Sequence, residues 1–268
     1  MKLRNYQEMA TDFGDPSWIA FKTIVRTEIR RFMRIWVQTL VPPIITMILY
    51  FVIFGNLIGA RIGKMDGFDY MSFIVPGLIM MTVITNSYSN VAGSFFGSKY
   101  GCYIEEMLVS PIPNQTILLG YIVGGVSRAL LVGGIVTILS LFFTKFSIHN
   151  LFATSFITFL TAVLFSILGF INGVYASNFD EVSLVPTFVL TPLTYLGGVF
   201  FSIKLLPDFW AGIAQLNPIL YVVNAFRFGI LGISDVSLLA AYGLLISMTL
   251  ISYIFAVRLL ANGIGVRH

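Results

Sequence analysis

Charge is scarce in this chain. Of 268 residues only 10% are Asp, Glu, Lys or Arg, against 57% hydrophobic and a mean hydropathy of +0.90. A soluble domain carries about 25% charged residues, so this supply cannot furnish a water-facing surface. A single cysteine, Cys102, excludes an intramolecular disulfide. The two histidines, His149 and His268, form no His/Cys/Asp/Glu spacing that would ligate a metal. No G-x-x-x-x-G-K-[ST] occurs, since Gly63-Lys64 is followed by Met65, so nucleotide phosphates find no P-loop here. G-x-S-x-G is absent too, which leaves an intramembrane hydrolase without its nucleophile.

What the chain has in quantity is uncharged apolar sequence, in runs of about twenty residues or more, the length that crosses a bilayer core. The expected fold is an all-α polytopic membrane protein with six transmembrane helices. The spans are predicted over residues 35–58, 70–94, 116–143, 151–176, 182–201 and 238–257. Pro42, Pro43, Pro76, Pro186 and Pro192 lie inside them, suiting helices that bend or move, or simply marking kinks. Residues 1–34 read as a cytoplasmic segment, 35–262 as the membrane domain and 263–268 as a cytoplasmic tail. The polar, basic start shows no cleavable signal, so the first span is expected to anchor the chain.

The net charge of +4 is a topology signal rather than a mark of nucleic-acid binding: seven of the sixteen Lys and Arg residues precede position 35. With Lys99, Arg258 and Arg267 they give ten on one side, against Arg61, Lys64, Lys145, Lys204 and Arg227 on the other. That places both termini in the cytoplasm. Met1 to Pro16 reads as weakly structured. Ser17 is expected to cap an amphipathic helix running to Arg34, with Trp18, Phe21, Val25, Ile29 and Phe32 on its apolar face at the membrane interface. The uncharged stretch 209–226 is broken by Asn217-Pro218. It reads as a re-entrant pair of short helices on the outer side, between spans five and six.

Between spans two and three, residues 103–109 predict a short helix with Ile104, Met107 and Leu108 on one side. Glu105 and Glu106 point toward water, and Pro111 and Pro113 close the segment. Asp180-Glu181 in the next cytoplasmic turn either touch a partner or mark the water boundary. Arg128 is the one charge well inside a predicted span. A central Arg costs about 2.5–3.5 kcal/mol on insertion scales, which the apolar residues around it offset. It either pairs within the bundle or contacts substrate. Gly55/Gly59, Gly120/Gly124 and Gly169/Gly173 have the spacing that lets helices approach closely, within one chain or between subunits.

Several stretches, taken in order, resemble one family. These are the basic pre-helix and first span, the Glu105-Glu106…Ser110-Pro111 loop, residues 191–201 with Gly197-Gly198, and Pro207 followed by Asn217-Pro218, Tyr221 and Arg227. Together they resemble ABC-2 type exporter permeases over nearly the whole chain. The resemblance implies a bacterial inner-membrane permease that dimerises and contacts membrane lipid. It implies no cofactor on this chain and no enzyme activity of its own, with ATP and Mg held by a separate ABC ATPase subunit. Ile104, Glu105, Glu106, Met107, Leu108, Ser110 and Pro111 would then form the loop that couples to that ATPase. The cargo would be amphipathic: lipid, lipid-linked glycan or drug. An ion-coupled secondary transporter and a membrane assembly factor are the competing readings.

Overall fold

The computed structural model describes residues 15–144, 148–263 and 265. The expectations for residues 1–14, for Lys145, Arg267 and His268, and for most of the 263–268 tail lie outside the described residues. The first helix, α1 (Pro16–Arg34), is capped by Asp15, whose Oδ1 accepts from Ser17 N at 3.0 Å, and Pro16 occupies the first turn. Ser17 is therefore inside the helix and not its cap: proline at the first helical position gives up no hydrogen bond and moves the start one residue earlier.

After a tight bend at Ile35, α2 (Trp36–Tyr50) carries Pro42 and Pro43 and passes through a π-helical turn, Phe51–Ile58, into α3 (Gly59–Ile62). A small antiparallel hairpin, β1 (Lys64–Met65) and β2 (Phe68–Asp69), follows. Then come α4 (Tyr70–Tyr100), α5 (Tyr103–Val109), α6 (Asn114–Ser140) and α7 (Leu151–Tyr175). Among the described residues, five helical stretches are long and apolar enough to cross a membrane: Trp36–Gly55, α4, α6, α7 and α12 (Leu238–Asn262).

The predicted fifth crossing takes another form. It is α8 (Phe179–Val185), a π-helical turn Pro186–Leu190, and α9 (Thr191–Leu196). Pro186 and Pro192 each lack an amide donor, so the ladder is rebuilt twice and no single long helix results. Downstream, α10 (Asp208–Gln215) and α11 (Pro218–Leu231) break at Asn217.

Helix α4 is the axis of the bundle, with 78% of its most apolar window buried, against 17% for α2 at the edge. Close approach explains why. A Cβ at Gly169 would collide with the carbonyl oxygen of Tyr88, and one at Gly173 would sit 3.0 Å from that of Ala92. The faces of α4 and α7 therefore meet backbone to backbone. Gly120 and Gly124 likewise receive the side chains of Ile24 and Glu28 from α1. At these two pairs the glycine spacing serves packing within one chain.

The same contact changes the reading of α1. Its buried residues are Ile24, Glu28 and Phe32, while Trp18 is 54% exposed. The row turned toward the bundle thus carries a carboxylate, and of the predicted apolar stripe only Phe32 is buried.

Candidate functional site

At one end of the bundle, α5 hangs between α4 and α6 on a left-handed residue, Cys102 (φ 60°). Ile104 is buried, Met107 and Leu108 are half-buried against the core, and Glu105 and Glu106 face outward. Ser110 is extended and ends the helix, and Pro111 is exposed. This segment is fixed to the rest of the bundle through its neighbours. Lys99 Nζ donates to the carbonyls of Val174 and Ala176, each at 2.8 Å, tying the end of α4 to the end of α7. Tyr121 Oη donates to Ser98 Oγ at 2.8 Å. Phe179 packs edge-on to Phe96 (centroids 4.8 Å) and against Tyr100 (5.2 Å), bringing the Asp180-Glu181 turn alongside. Glu181 spends its carboxylate locally, accepting from Ser177 N and Asn178 Nδ2. Around this rigid corner Tyr100, Tyr103, Val109 and Phe179 are more than half exposed, Val109 at 88%.

At the opposite end, the glycine and proline motifs form one knot. Gly198 has φ +74°, a conformation that side chains strain, so glycine is required there. Arg227, 1% exposed, donates to Gly198 O at 2.6 Å and lies 3.9 Å from the centroid of the Phe73 ring. A Cβ at Gly197 would press on Ile219. Asn217 Oδ1 accepts from Ile219 N at 3.0 Å, capping α11 with Pro218 in its first turn, while its Nδ2 donates to Leu193 O. Tyr221 Oη donates to Gln215 O at 2.9 Å, and Pro207 opens α10. These residues fold the chain over the end of α4. Asn217→Ala removes both the cap and the bridge to Leu193, and should lower unfolding stability by about 2 kcal/mol. Thermal unfolding in a mild detergent reads it; an unchanged midpoint contradicts the knot.

Beside the knot lies a cavity of about 500 Å³ lined by Asp66, Lys204, Arg227 and Asp235. Lys204 Nζ is 3.2 Å from Asp235 and 3.8 Å from Asp66. The hydrogen bond to Asp235, its charge and then that of Asp66 hold the lysine above its ordinary range.

The third constellation is buried beside α1. Glu28 accepts from Arg31 Nη2 at 3.0 Å and makes a short hydrogen bond with Ser94. Arg31 also reaches Asn90 Oδ1 at 2.9 Å. Arg128, near the middle of α6, directs Nε to Asn86 Oδ1 at 3.3 Å and Nη1 to Asn90 Oδ1 at 3.4 Å. It borders a cavity of about 310 Å³ between α2 and α4, where Gln38, Thr46, Thr85 and Ser89 add polar groups. Sequence reasoning singled out Arg128 and missed Glu28, Arg31, Asn86 and Asn90. The available signal was Glu28 four residues after Ile24 and four before Phe32, an acid placed in an apolar row.

A bundle of helices long and apolar enough to cross a membrane, with a cavity bordered by a half-buried cation and a corner of exposed apolar groups at one end, fits a membrane transport protein. Residues 19–231 match the profile of the ABC-2 type transporter family, and the chain belongs to that family. Inner membrane transport permease YadH of Escherichia coli K12 is 59% identical over 250 residues, covering 93% of this chain and 98% of that protein. Nodulation protein J of Rhizobium leguminosarum bv. viciae is 26% identical over 187 residues, 69% of this chain and 72% of the relative. The protein of the same name from bv. trifolii is 24% identical over 250 residues, 92% and 94% of the two chains.

Proposed function

We propose that the chain is the permease subunit of an ATP-driven exporter, with ATP and Mg bound on a separate ABC ATPase subunit that docks at α5. The family supports association with such an ATPase. The observation that carries the reading is the corner around α5. Tyr100, Tyr103, Val109 and Phe179 expose apolar surface beside Glu105 and Glu106. Lys99 locks that surface to two bundle helices. Clustered exposed apolar groups of this kind mark an interaction surface. An element held rigidly to two helices also transmits displacement instead of absorbing it.

The positive-charge bias supports a cytoplasmic side for this corner and both termini. On that topology residues 182–201 would be a bent fifth crossing, and α10 and α11 a re-entrant pair at the outer side. The name of the 59%-identical relative supports the inner membrane. Two copies would face each other across α2, whose Trp36, Ile45 and Leu49 are exposed and whose Gln38 and Thr46 line the cavity. Polar groups such as Gln38 and Thr46 are costly against lipid, and a partner subunit or a water path would cover them. The alternating exposure of such a path would move an amphipathic cargo outward.

Glu106→Lys tests the docking. The side chain is exposed, so insertion and folding should be unchanged. Co-purification with the proposed ABC ATPase should fall at least about tenfold, as expected for one reversed charge in a partly desolvated contact worth about 1.4 kcal/mol or more. Equal recovery of the ATPase with wild type and variant contradicts the coupling role of α5.

A further inference from the structure

The cluster beside α1 contains two guanidinium groups and one carboxylate. Glu28 is already committed to Arg31 and Ser94. Both guanidinium groups converge on one amide oxygen, Asn90 Oδ1. Among the described residues no carboxylate pairs with Arg128. Its two bonds, at 3.3 and 3.4 Å to neutral amides, are longer than the 2.7–2.9 Å of a charge-assisted contact. Arg128 is half-buried, and charges withdrawn from water are paired or hydrogen-bonded by groups that compensate them. This cluster is short of one negative charge.

The deficit faces space. Arg128 borders the cavity between α2 and α4, where Thr46 and Ser89 bring hydroxyls, Gln38 an amide, and Pro42, Met47 and Met81 apolar surface; the Thr82 and Thr85 hydroxyls donate to the Leu78 and Met81 carbonyls. Hydroxyls beside a guanidinium suit the oxygens of an anion, and the apolar groups suit the chain that follows it. Thr85, in the lining of this cavity, is the one exposed residue in the middle of α4. A cationic or neutral head group would leave the charge uncompensated.

We propose that this cavity binds the anionic head group of an amphiphile, a phosphate, sulfate or carboxylate, through Arg128. The inference rests on the permease reading and adds to it the charge of the molecule handled. The Glu28–Arg31 pair acts behind the site: by neutralising Arg31 it leaves Arg128 as the cation that the ligand meets.

The test is calorimetric titration of the full-length protein in a neutral maltoside detergent with octyl phosphate, octyltrimethylammonium and inorganic phosphate. Octyl phosphate should saturate one site per chain. Octyltrimethylammonium should not bind, and inorganic phosphate should bind at least tenfold more weakly. Arg128→Gln should weaken octyl phosphate at least tenfold, and Arg128→Lys should restore part of the loss. Thr85→Trp, which fills the cavity from its lining and leaves the charge in place, should also abolish binding and covers the case in which Arg128→Gln fails to fold. Native mass spectrometry of the purified protein separates the two sources of such a ligand. A retained phospholipid displaced by octyl phosphate identifies a bilayer lipid, and an empty site identifies a transported amphiphile; both retain the anion site. Equal binding of phosphate and ammonium amphiphiles, or undiminished binding in folded Arg128→Gln and Thr85→Trp, overturns the proposal. Association of the wild-type chain with its ATPase is measured separately, so a failed anion site and a failed permease reading give different results.

Discussion

Glu28→Ala should cost about 2–3 kcal/mol of stability, less than the full penalty for stripping the partner from a buried ion pair because the Arg31 side chain is 35% exposed. Glu28 is 4% exposed, and it is the carboxylate that faces Arg31 and Ser94 in the contact between α1 and the bundle. Its removal leaves Arg31 and Arg128 sharing Asn90 with no negative charge among them. The consequence reaches beyond Glu28 because its side chain also lies on Gly124, so α1 would loosen from α6. Removing both charges together, Glu28→Gln with Arg31→Gln, should recover much of the loss, since neutral groups of similar shape carry no uncompensated charge. The unfolding midpoint of the detergent-solubilised protein reads this directly. A single variant as stable as wild type, or a double variant no better than the single, contradicts the account of α1.

Gly169→Ala should be nearly as damaging for a different reason. The added Cβ meets the carbonyl oxygen of Tyr88 on α4, a backbone atom that cannot rotate away. The two central helices must separate or shift, and overpacking of this sort costs about 1–3 kcal/mol. Gly93→Ala is the matched control: nothing lies within 4 Å of its Cβ position, and alanine favours helix over glycine by about 1 kcal/mol. Folded yield after size-exclusion chromatography should drop for Gly169→Ala and hold or rise for Gly93→Ala. Parallel behaviour of the two would remove close α4–α7 contact as the basis of the bundle.

Much of this was legible in the residues themselves. The apolar runs mark the long helices because bilayer thickness fixes their length. Residues 103–109 form the short helix that their apolar and acidic pattern specifies. Asn217-Pro218 divides α10 from α11 because proline cannot continue the ladder and asparagine can start a new one. What escaped were consequences of tertiary contact. Hydrophobic periodicity along α1 favours the Trp18 stripe, yet Gly120 and Gly124 on α6 offer a groove that Ile24 and Glu28 occupy. No property of α1 alone discloses that groove. Hydropathy over 182–201 satisfies the length of a crossing but is blind to the rebuilt ladder at Pro186. Arg227 counted as one exterior charge, whereas the structure buries it under Gly198 and against Phe73. Likewise Arg128 was visible as a lone cation, while its neighbours come from two other helices.

The claim on which the rest depends is that work enters this chain at the corner built by α5. The most direct measurement places a photoreactive residue at Tyr103, and separately at Lys204, in the full-length chain co-expressed with its ABC ATPase. Tyr103 and Lys204 are both exposed and lie at opposite ends of the bundle. The account predicts a covalent adduct with the ATPase from position 103, changed in yield by ATP, and none from position 204. An adduct from 204, or an intact complex with no adduct from 103, would contradict it.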